Sequence, residues 1–167
     1  EMEEAVDVLQ KLCDVMDERY ELLEKNSVRN IDEYHKLVGN TESMPFIVII
    51  IDELADLMMT QGKQVEDLVG RLSQKARAAG MHLVLATQRP TSDVIKGLIK
   101  TNVPARLAFR VANNVDSRVI IQEKGAETLM GLGDCLFQTP RKSGLTRIQS
   151  PLVTGEEVRS IVDQISG

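Results

Sequence analysis

The sequence predicts an α/β protein with a mostly parallel sheet flanked by helices and a C-terminal β-hairpin. The apolar run at residues 46–51 does not alternate with polar residues, which is typical of a parallel strand covered by helices on both faces. Residues 81–87 indicate a second buried strand, and segments of strand and helix type alternate from residue 46 to about 130. With 167 residues, 43% of them apolar, the chain is long enough for one domain with a sizeable core.

The first part of the chain is predicted to be helical. Apolar residues recur at helical spacing over residues 2–25, and this stripe comprises Met2, Val6, Leu9, Cys13, Met16, Tyr20 and Leu23. Asn30 is placed to cap a short second helix that ends at Leu37, and a loop follows at residues 39–45. Beyond the strand at residues 46–51 we expect a short helix at 54–59 and a second one at 65–79, ended by Gly80.

The rest of the chain mixes short helices and strands. A short helix between two loops is expected within residues 88–104, followed by a third strand at 105–111 and short helices at 116–123 and 126–130. The segments 135–138 and 146–149, separated by "PRKSG", indicate a hairpin. Thr154 with Glu157 three residues later predicts a capping box for the last helix.

Composition restricts the function classes and the compartment. The net charge is −5, yet residues 70–118 hold 9 basic and 2 acidic residues, which indicates either one cationic face or ordinary solvated helix faces. No segment approaches the roughly 20 apolar residues that span a bilayer. Cys13 and Cys135 have no metal-like spacing, so we expect two free thiols in a cytoplasmic protein.

Two adjacent acids, Asp52 and Glu53, follow the strand at residues 46–51 directly. An apolar strand that ends in this pair is the Walker B pattern of ATPases, in which the first acid holds Mg²⁺ and the second accepts a proton from the attacking water. The alternative is an acid that caps the following helix. The second strand ends in Thr87 and Gln88, where a polar residue would sense the γ-phosphate, and we expect this role of Gln88; the alternative is an ordinary loop start.

Several long motifs in the same order resemble the motor domain of the FtsK/SpoIIIE family of DNA translocases. They are "RNIDEY", "VIIIDELADLM", "LSQKARAAGMHLVLATQRPTSDVIKGLIKTNVPARLAF", "DSRVII" and "GAETLMGLGDCLF", and together they cover nearly the whole chain. The resemblance implies a RecA-like P-loop NTPase fold that uses ATP and Mg²⁺, with residues 1–45 as a helical segment and 46–167 as the Walker B core. It also implies a homo-hexamer acting on double-stranded DNA in chromosome partition and cell division.

One family motif is missing from the sequence. The Walker A loop, GxxxxGK[ST], does not occur, so the Lys and the backbone cradle for the phosphates are absent. The interpretation is that residues 1–167 are a partial motor domain, with a degenerate paralogue as the alternative. We therefore expect this chain alone not to hydrolyse ATP, and we expect the complete protein to be anchored in the cell membrane through other segments.

The resemblance also assigns site residues beyond the acid pair. Arg77 is expected to face solvent and to act as an arginine finger on a neighbouring subunit's ATP, with Arg71 as the second choice. Contacts with DNA phosphates are expected from Arg89, Lys100 and Arg118, whose alternative is ordinary solvation or an ion pair such as Arg118 with Asp116. The segment with Gly131, Gly133 and Asp134 is expected near the nucleotide, or else is a turn before a strand.

Two other functions stay open at this point. A protein-secretion ATPase or a conjugation coupling ATPase of the same superfamily would share the fold and the ATP chemistry but move another cargo. A non-catalytic scaffold would explain the missing phosphate loop. The basic balance of residues 70–118 favours DNA as the cargo.

Overall fold

The computed structural model describes Met2–Gly167, with side chains from Glu4 onward. The predicted place of Met2 on the apolar stripe of the first helix therefore lies outside the described side chains. The chain divides into two compact units, one ending at Val103 and one running from Pro104 to Gly167.

The first unit contains a parallel pair of strands and four helices. Its elements are α1 (Met2–Lys25), α2 (Ile31–Val38), β1 (Ile47–Ile51), α3 (Leu54–Lys75), β2 (Met81–Leu85) and α4 (Gly97–Asn102). Strands β1 and β2 pair in parallel, from Ile47 opposite Met81 to Ile51 opposite Leu85. The predicted parallel pairing of these two strands is confirmed, and so is the helical segment before residue 45.

The core of the first unit lies between α1, α3 and one face of the parallel pair. The apolar stripe of α1 is buried at Val6, Leu9, Cys13, Met16 and Leu23 and partly buried at Tyr20, as its helical spacing predicts. Cys13 and Met16 of α1 belong to the same buried apolar cluster as Ile49 and Ile51 of β1. The predicted helical segment is therefore part of the same unit as β1 and β2.

The turns of this unit follow local rules. The Asn30 side chain accepts a hydrogen bond from the Glu33 backbone N–H at 3.0 Å, so the predicted cap of α2 is confirmed. Gly80 has φ +72°, and a Cβ there would lie 2.1 Å from Cδ1 of Ile31. Only glycine satisfies both conditions, which explains why the chain turns into β2 at this residue.

The prediction that β1 is buried on both faces is wrong. Ile49 and Ile51 face the core, whereas Val48 is 60% exposed and Ile50 is 69% exposed. A run of apolar residues indicates two covered faces only when helices lie on both sides of the sheet. In the part of the chain that the structure describes, helices cover one side.

The predicted helices at 54–59 and 65–79 form one kinked helix. Helix α3 continues from Leu54 to Lys75, and the kink is at Gln61, which has φ −135° and ψ 42°. Gly62 follows the kink, and glycine weakens a helix locally because it gains the most conformational freedom on unfolding. The helix ends at Lys75, so Arg77 lies in the following turn and not on the helix.

The second unit is built on an antiparallel sheet. Its elements are β3 (Arg106–Phe109), α5 (Asn114–Ile121), a 3₁₀ turn (Ala126–Thr128), β4 (Asp134–Thr139), β5 (Lys142–Gln149) and α6 (Gly155–Ser166). The strand order is β3-β4-β5, and both pairings are antiparallel. The predicted C-terminal hairpin is confirmed. Strand β3 was expected in a mostly parallel sheet, and this expectation is corrected: it pairs with the hairpin.

A small core supports this second sheet. Ala108 of β3 packs with Ile121, Ala126 and Leu129, while Leu107 and Phe109 share the other face and are about half exposed. The capping box of α6 is present as predicted, since Thr154 and Glu157 exchange side-chain and backbone hydrogen bonds. Cys13 and Cys135 are both buried and free of disulfides, as expected. No helix from Met2 onward is long and apolar enough to span a bilayer.

Candidate functional site

The carboxyl ends of β1 and β2 meet at one edge of the first unit. The Ala86 N–H donates to the Ile51 carbonyl at 2.8 Å, and the Leu54 N–H donates to the Ala86 carbonyl at 2.9 Å. These two bonds extend the strand pairing beyond the sheet and fix where the chain leaves each strand. In open α/β sheets, ligands bind beyond this edge.

Asp52 is the first residue after β1, and its side chain is exposed at this edge. It makes no hydrogen bond or ion pair with any residue that the structure describes. In residues 4–167 no group of three or more His, Cys, Asp or Glu side chains is arranged around a metal position. One available carboxylate fits Mg²⁺, which proteins hold through one or two carboxylates while water and substrate phosphates complete its shell.

Glu53 is held by three hydrogen bonds. Its Oε1 accepts from the Ala55 N–H at 3.1 Å and from the Thr87 hydroxyl, and its Oε2 accepts from the Gln88 N–H at 2.8 Å. The bond to Ala55 makes Glu53 the N-cap of α3. The capping role that the sequence left open is therefore present, and the same carboxylate is also joined to the loop after β2.

The hydrogen bonds change the basicity of Glu53. Partial burial of the carboxylate acts to raise the pKa of Glu53, because burial disfavours the charged form. The hydrogen bonds from Thr87, Gln88 and Ala55, together with the charge of Arg89, act in the opposite direction and prevail. The pKa of Glu53 is lowered, so the side chain is ionised and is a weaker proton acceptor than an ordinary glutamate.

Thr87 is the residue of this site that the sequence motif did not assign. It lies two residues after β2, and its hydroxyl donates to Glu53 and accepts from the Arg89 N–H at 3.1 Å. The signal available in the sequence was a hydroxyl residue at the end of the strand beside the acid pair. Gln88 lies beside Glu53 as expected, but it bonds through its backbone and its side chain is exposed.

Arg77 is exposed on a turn that other residues hold firmly. The Tyr20 hydroxyl donates to the Lys75 carbonyl at 2.8 Å, just before the turn. The buried Arg19 donates to the Ala79 carbonyl at 2.8 Å, just after Arg77. The predicted exposure of Arg77 is confirmed, and the turn presents this side chain from a fixed backbone.

Arg71, the second choice for an arginine finger, is already paired. Its Nη2 lies 2.8 Å from Oδ2 of Asp17 on α1. Arg77 makes no ion pair with any residue that the structure describes. The geometry therefore favours Arg77 over Arg71 for a contact with another molecule.

The three basic residues predicted to contact DNA have different surroundings. Arg89 is exposed, its Nη1 lies 3.8 Å from Oδ1 of Asp56, and it contacts the sulfur of Met59 at 3.3 Å. Lys100 is half-buried in α4. Arg118 belongs to α5 of the second unit, where it is exposed and forms no ion pair with Asp116.

The glycine segment of the second unit forms a tight turn before β4. Gly131, Leu132 and Gly133 all have positive φ, with values of 86°, 54° and 87°. A Cβ on Gly133 would lie 2.6 Å from the Ser150 hydroxyl oxygen and 2.7 Å from the Ser150 carbonyl oxygen. Glycine is required at this position because the backbone passes too close to Ser150 for any side chain.

Asp134 closes this turn. Its Oδ1 accepts from Nε of Arg147 at 2.9 Å, and its Oδ2 accepts from Nη2 of Arg147 at 2.7 Å and from the Met130 N–H at 2.8 Å. The hydrogen bonds from Arg147 and Met130 lower the pKa of Asp134 to about 2, against a smaller opposing effect of burial. Both oxygens are engaged within the second unit, so Asp134 shapes the turn.

Sequence comparison places these features in a family. The sequence model of the FtsK/SpoIIIE family matches residues 1–92. Similar proteins named DNA translocase FtsK include one from Helicobacter pylori (strain J99), which is 45% identical over 96% of this chain and 19% of its own length. Those of Chlorobaculum tepidum and Streptococcus pneumoniae (strain R6) are 49% and 51% identical over 98% and 94% of this chain. The chain spans about a fifth of the length of these curated relatives, 20% and 22% in the last two.

Comparison with solved structures identifies the fold. The pCW3 conjugation coupling protein TcpA, solved as a monomer with ATPγS, is 27% identical with a TM-score of 0.87 over 100% of this chain and 50% of its own. The cytoplasmic domain of the type VII secretion ATPase EccC of Thermomonospora curvata is 22% identical with a TM-score of 0.79 over 100% of this chain and 21% of its own. The fold is that of P-loop ATPase domains, as the resemblance predicted.

Proposed function

Because this chain belongs to the FtsK/SpoIIIE family, we propose that it forms the Walker B part of a hexameric, ATP-driven motor that moves along double-stranded DNA. The observation that carries the proposal is the meeting of Asp52, Glu53 and the Gln88 loop at one edge of β1 and β2. The complete protein would be anchored in the cell membrane through other segments and would act in chromosome partition and cell division.

The acid pair would supply the chemistry of hydrolysis. Asp52 would hold Mg²⁺, which when bound neutralises charge on the phosphate oxygens of the substrate. The water oxygen attacks the γ-phosphorus, the bond to the bridging oxygen breaks, and ADP leaves with the electron pair. Glu53 accepts the proton that the water loses, and the Gln88 side chain, exposed beside it, contacts the γ-phosphate.

Two further contacts would complete the site. Arg77, presented on its fixed turn, would reach the ATP of the neighbouring subunit as an arginine finger. Within the second unit taken by itself, Asp134 maintains the turn of Gly131 and Gly133 through Arg147, and the resemblance to the family assigns this turn to a nucleotide contact. In this proposal the phosphate cradle would be supplied by residues other than these 167, since the sequence has no GxxxxGK[ST] string.

The proposed cargo rests on the names of the relatives and on the basic middle of the sequence. Arg89, Lys100 and Arg118 would contact DNA phosphates, which gives affinity without sequence preference. Lys96 is a weaker candidate, because its Nζ lies 2.9 Å from Oε2 of Glu66. Contacts of this kind suit a motor that must move along any sequence.

Salt dependence of duplex binding tests the cargo. In the full-length protein that contains this chain, Lys100→Ala should weaken binding to all duplex sequences alike. The slope of log K against log salt should fall by about one unit for each phosphate that the variant no longer neutralises. The matched control is Lys11→Ala, an exposed lysine of α1, which should keep the wild-type line. Unshifted, parallel lines for Lys100→Ala would remove Lys100 from the DNA surface.

The likeness to TcpA supports a second candidate, a coupling ATPase of conjugation with the same fold and nucleotide chemistry.

A related ATPase with a protein cargo would bind duplex DNA weakly, and neither its affinity nor its salt slope would respond to Arg89→Ala, Lys100→Ala or Arg118→Ala. The salt experiment therefore separates a protein cargo from DNA.

A further inference from the structure

Arg19 of α1 is a buried cation whose hydrogen bonds go to backbone carbonyls. Its Nη1 donates to the Ala79 carbonyl at 2.8 Å, and its Nη2 donates to the Pro45 carbonyl at 2.7 Å. It forms no ion pair with any residue that the structure describes. An apolar side chain of similar volume would fill this position without the cost of burying a charge. The reason for an arginine here therefore lies in what its two hydrogen bonds hold.

The two carbonyls belong to segments that enter the parallel strand pair at the same end. Pro45 lies two residues before β1, and Ala79 lies two residues before β2. One planar guanidinium therefore joins the entries into both strands, because its donors point in fixed directions that a lysine ammonium does not offer. Ala79 also belongs to the turn that presents Arg77.

Every carbonyl of the turn at residues 77–80 accepts a hydrogen bond. Three of them accept from backbone N–H groups at 2.9 to 3.1 Å, and the donors are Gly80, Ile31 and Ile47. Arg19 supplies the fourth bond, to Ala79, and this is the one that comes from a side chain. A substitution at Arg19 can therefore loosen the turn while its backbone hydrogen bonds remain.

This turn lies at the opposite end of the strand pair from the acids. Strands β1 and β2 run in parallel away from it for five residues each, and Asp52 follows β1 at the other end. Four steps of about 3.3 Å along such a strand separate the two ends by roughly 13 Å. Arg77 is therefore remote from the acid pair of its own subunit, which agrees with a contact to the ATP of a neighbour.

We propose that Arg19 is a positioning residue for Arg77: it fixes the turn, so that the exposed Arg77 guanidinium is presented to the neighbouring subunit in one orientation. The inference rests on the proposed function, because it gives the arginine finger its support. Arg77 forms no ion pair with any described residue, so the backbone of the turn determines where its side chain begins. This matters because a displacement of about 1 Å at a catalytic contact can lower a rate by roughly 10²-fold.

Substitution of Arg19 in the full-length protein tests this role without altering Arg77. Arg19→Met removes both bonds and keeps an unbranched stem, whereas Arg19→Lys keeps the charge and can keep one bond. The matched control is Leu9→Ala, which leaves a cavity in the core of the same unit, roughly 15 Å from Arg19 along α1. The assays are steady-state ATP turnover, ATP KM, the urea midpoint, and turnover of rings mixed with a subunit whose phosphate loop is inactivated.

We expect Arg19→Met to lower kcat by roughly 10²-fold while ATP KM stays within about twofold of wild type. Arg19→Lys should lower kcat roughly tenfold, the factor by which loss of one hydrogen bond to a charged group shifts an equilibrium. Leu9→Ala should keep the wild-type kcat even where its urea midpoint falls as far as that of Arg19→Met. A purely structural role of Arg19 would not separate these two variants.

Two further readouts show whether Arg19 acts through Arg77. Mixed rings should recover part of the turnover of Arg19→Met, because its own ATP site is intact and the inactivated subunits supply a correctly held Arg77. Added to Arg77→Ala, Arg19→Met should lower kcat no further, since the two substitutions remove the same contribution.

Wild-type kcat in both Arg19 variants would overturn the positioning role, and so would a further loss of kcat when Arg19→Met is added to Arg77→Ala. Turnover of Arg19→Met that mixing does not raise would place the defect in its own subunit and overturn the role as well. If Arg19→Met does not fold, Arg19→Lys and Tyr20→Phe provide the same readouts, because Tyr20→Phe removes the neighbouring 2.8 Å bond to the Lys75 carbonyl. Failure of the proposed finger gives a different pattern, in which Arg77→Ala itself keeps wild-type turnover.

Discussion

The two adjacent acids at the end of β1 should respond differently when their charge is removed. Asp52→Asn and Glu53→Gln are both nearly isosteric, and each deletes one negative charge. The structure predicts opposite patterns, because Asp52 makes no bond within the described residues whereas Glu53 accepts three. Stability and kinetics can therefore be predicted separately for each variant.

The stability of the chain should change little for Asp52→Asn and measurably for Glu53→Gln. Asp52 is exposed, and exposed substitutions that break no contact stay within about 0.5 kcal/mol. In Glu53→Gln, an amide that keeps its oxygen toward Ala55 and Thr87 places its NH₂ group toward the Gln88 N–H. One hydrogen bond to a charged group is then lost, which costs about 1 kcal/mol at this partly exposed site. Urea unfolding of the two variants beside wild type measures the difference.

For ATP binding the order of the two variants should be the reverse of that for stability, with the larger effect in Asp52→Asn. Asp52→Asn should weaken Mg²⁺–ATP binding by the full-length protein, because the proposed metal ligand has lost its charge. Glu53→Gln should leave that affinity within about threefold and lower kcat by roughly 10²- to 10⁴-fold, the usual contribution of a general base. Nucleotide titration and steady-state turnover give the two quantities for each variant.

Three results would refute this reasoning. Turnover of Glu53→Gln within tenfold of wild type would show that Glu53 is not the base. Unchanged Mg²⁺–ATP affinity in Asp52→Asn would remove the metal role. A larger loss of stability in Asp52→Asn than in Glu53→Gln would contradict the hydrogen bonding on which the comparison rests.

Two further predictions concern Arg77 and Asp134. Arg77→Ala should lower turnover by ~10³-fold or more, and mixing it with a subunit whose phosphate loop is inactivated should partly restore the activity. The control Arg71→Ala should lose only the exposed ion pair with Asp17. Mixed rings that are no more active than either parent would contradict a role of Arg77 in trans. The pKa of Asp134 is depressed to about 2 from 3.8, so its stabilisation is complete above pH 3.8 and lost as pH falls through 2. Asp134→Asn should therefore lower urea midpoints at pH 7 and flatten their decline between pH 4 and 2, and an unchanged decline would contradict this.

Local signals in the sequence were sufficient to predict most of the helices and strands. The cap at Asn30, the capping box at Thr154 and the spacing of the apolar stripe on α1 involve residues within a few positions of one another. The predicted break before residue 65 was real as well, since Gln61 leaves the helical region there. It produced a kink because apolar residues on both sides of it bury against the same core.

Features that depend on distant partners could not be predicted in this way. The apolar run of β1 gives the same sequence pattern whether one or both faces of the strand are covered. The exposure of Val48 and Ile50 therefore could not be predicted from this pattern. Strand β3 has the composition of any half-buried strand, and nothing local specifies that it pairs antiparallel with β4. The Thr87–Glu53 bond joins residues 34 positions apart, and only the parallel pairing of β1 with β2 brings them together.

The two roles that the sequence left open for Glu53 are compatible because the cap uses only one of its two oxygens. The capping bond from Ala55 and the bond from Thr87 use Oε1, and the bond from Gln88 uses Oε2. If the loop moves away, Oε1 stays anchored to the first turn of α3 while Oε2 becomes available to a water proton. A base that is also a helix cap keeps its direction when its other bonds are released, because α3 and not the loop then holds it. The capping role of Glu53 would thus orient the carboxylate as a base, so capping and catalysis would be served by the same side chain.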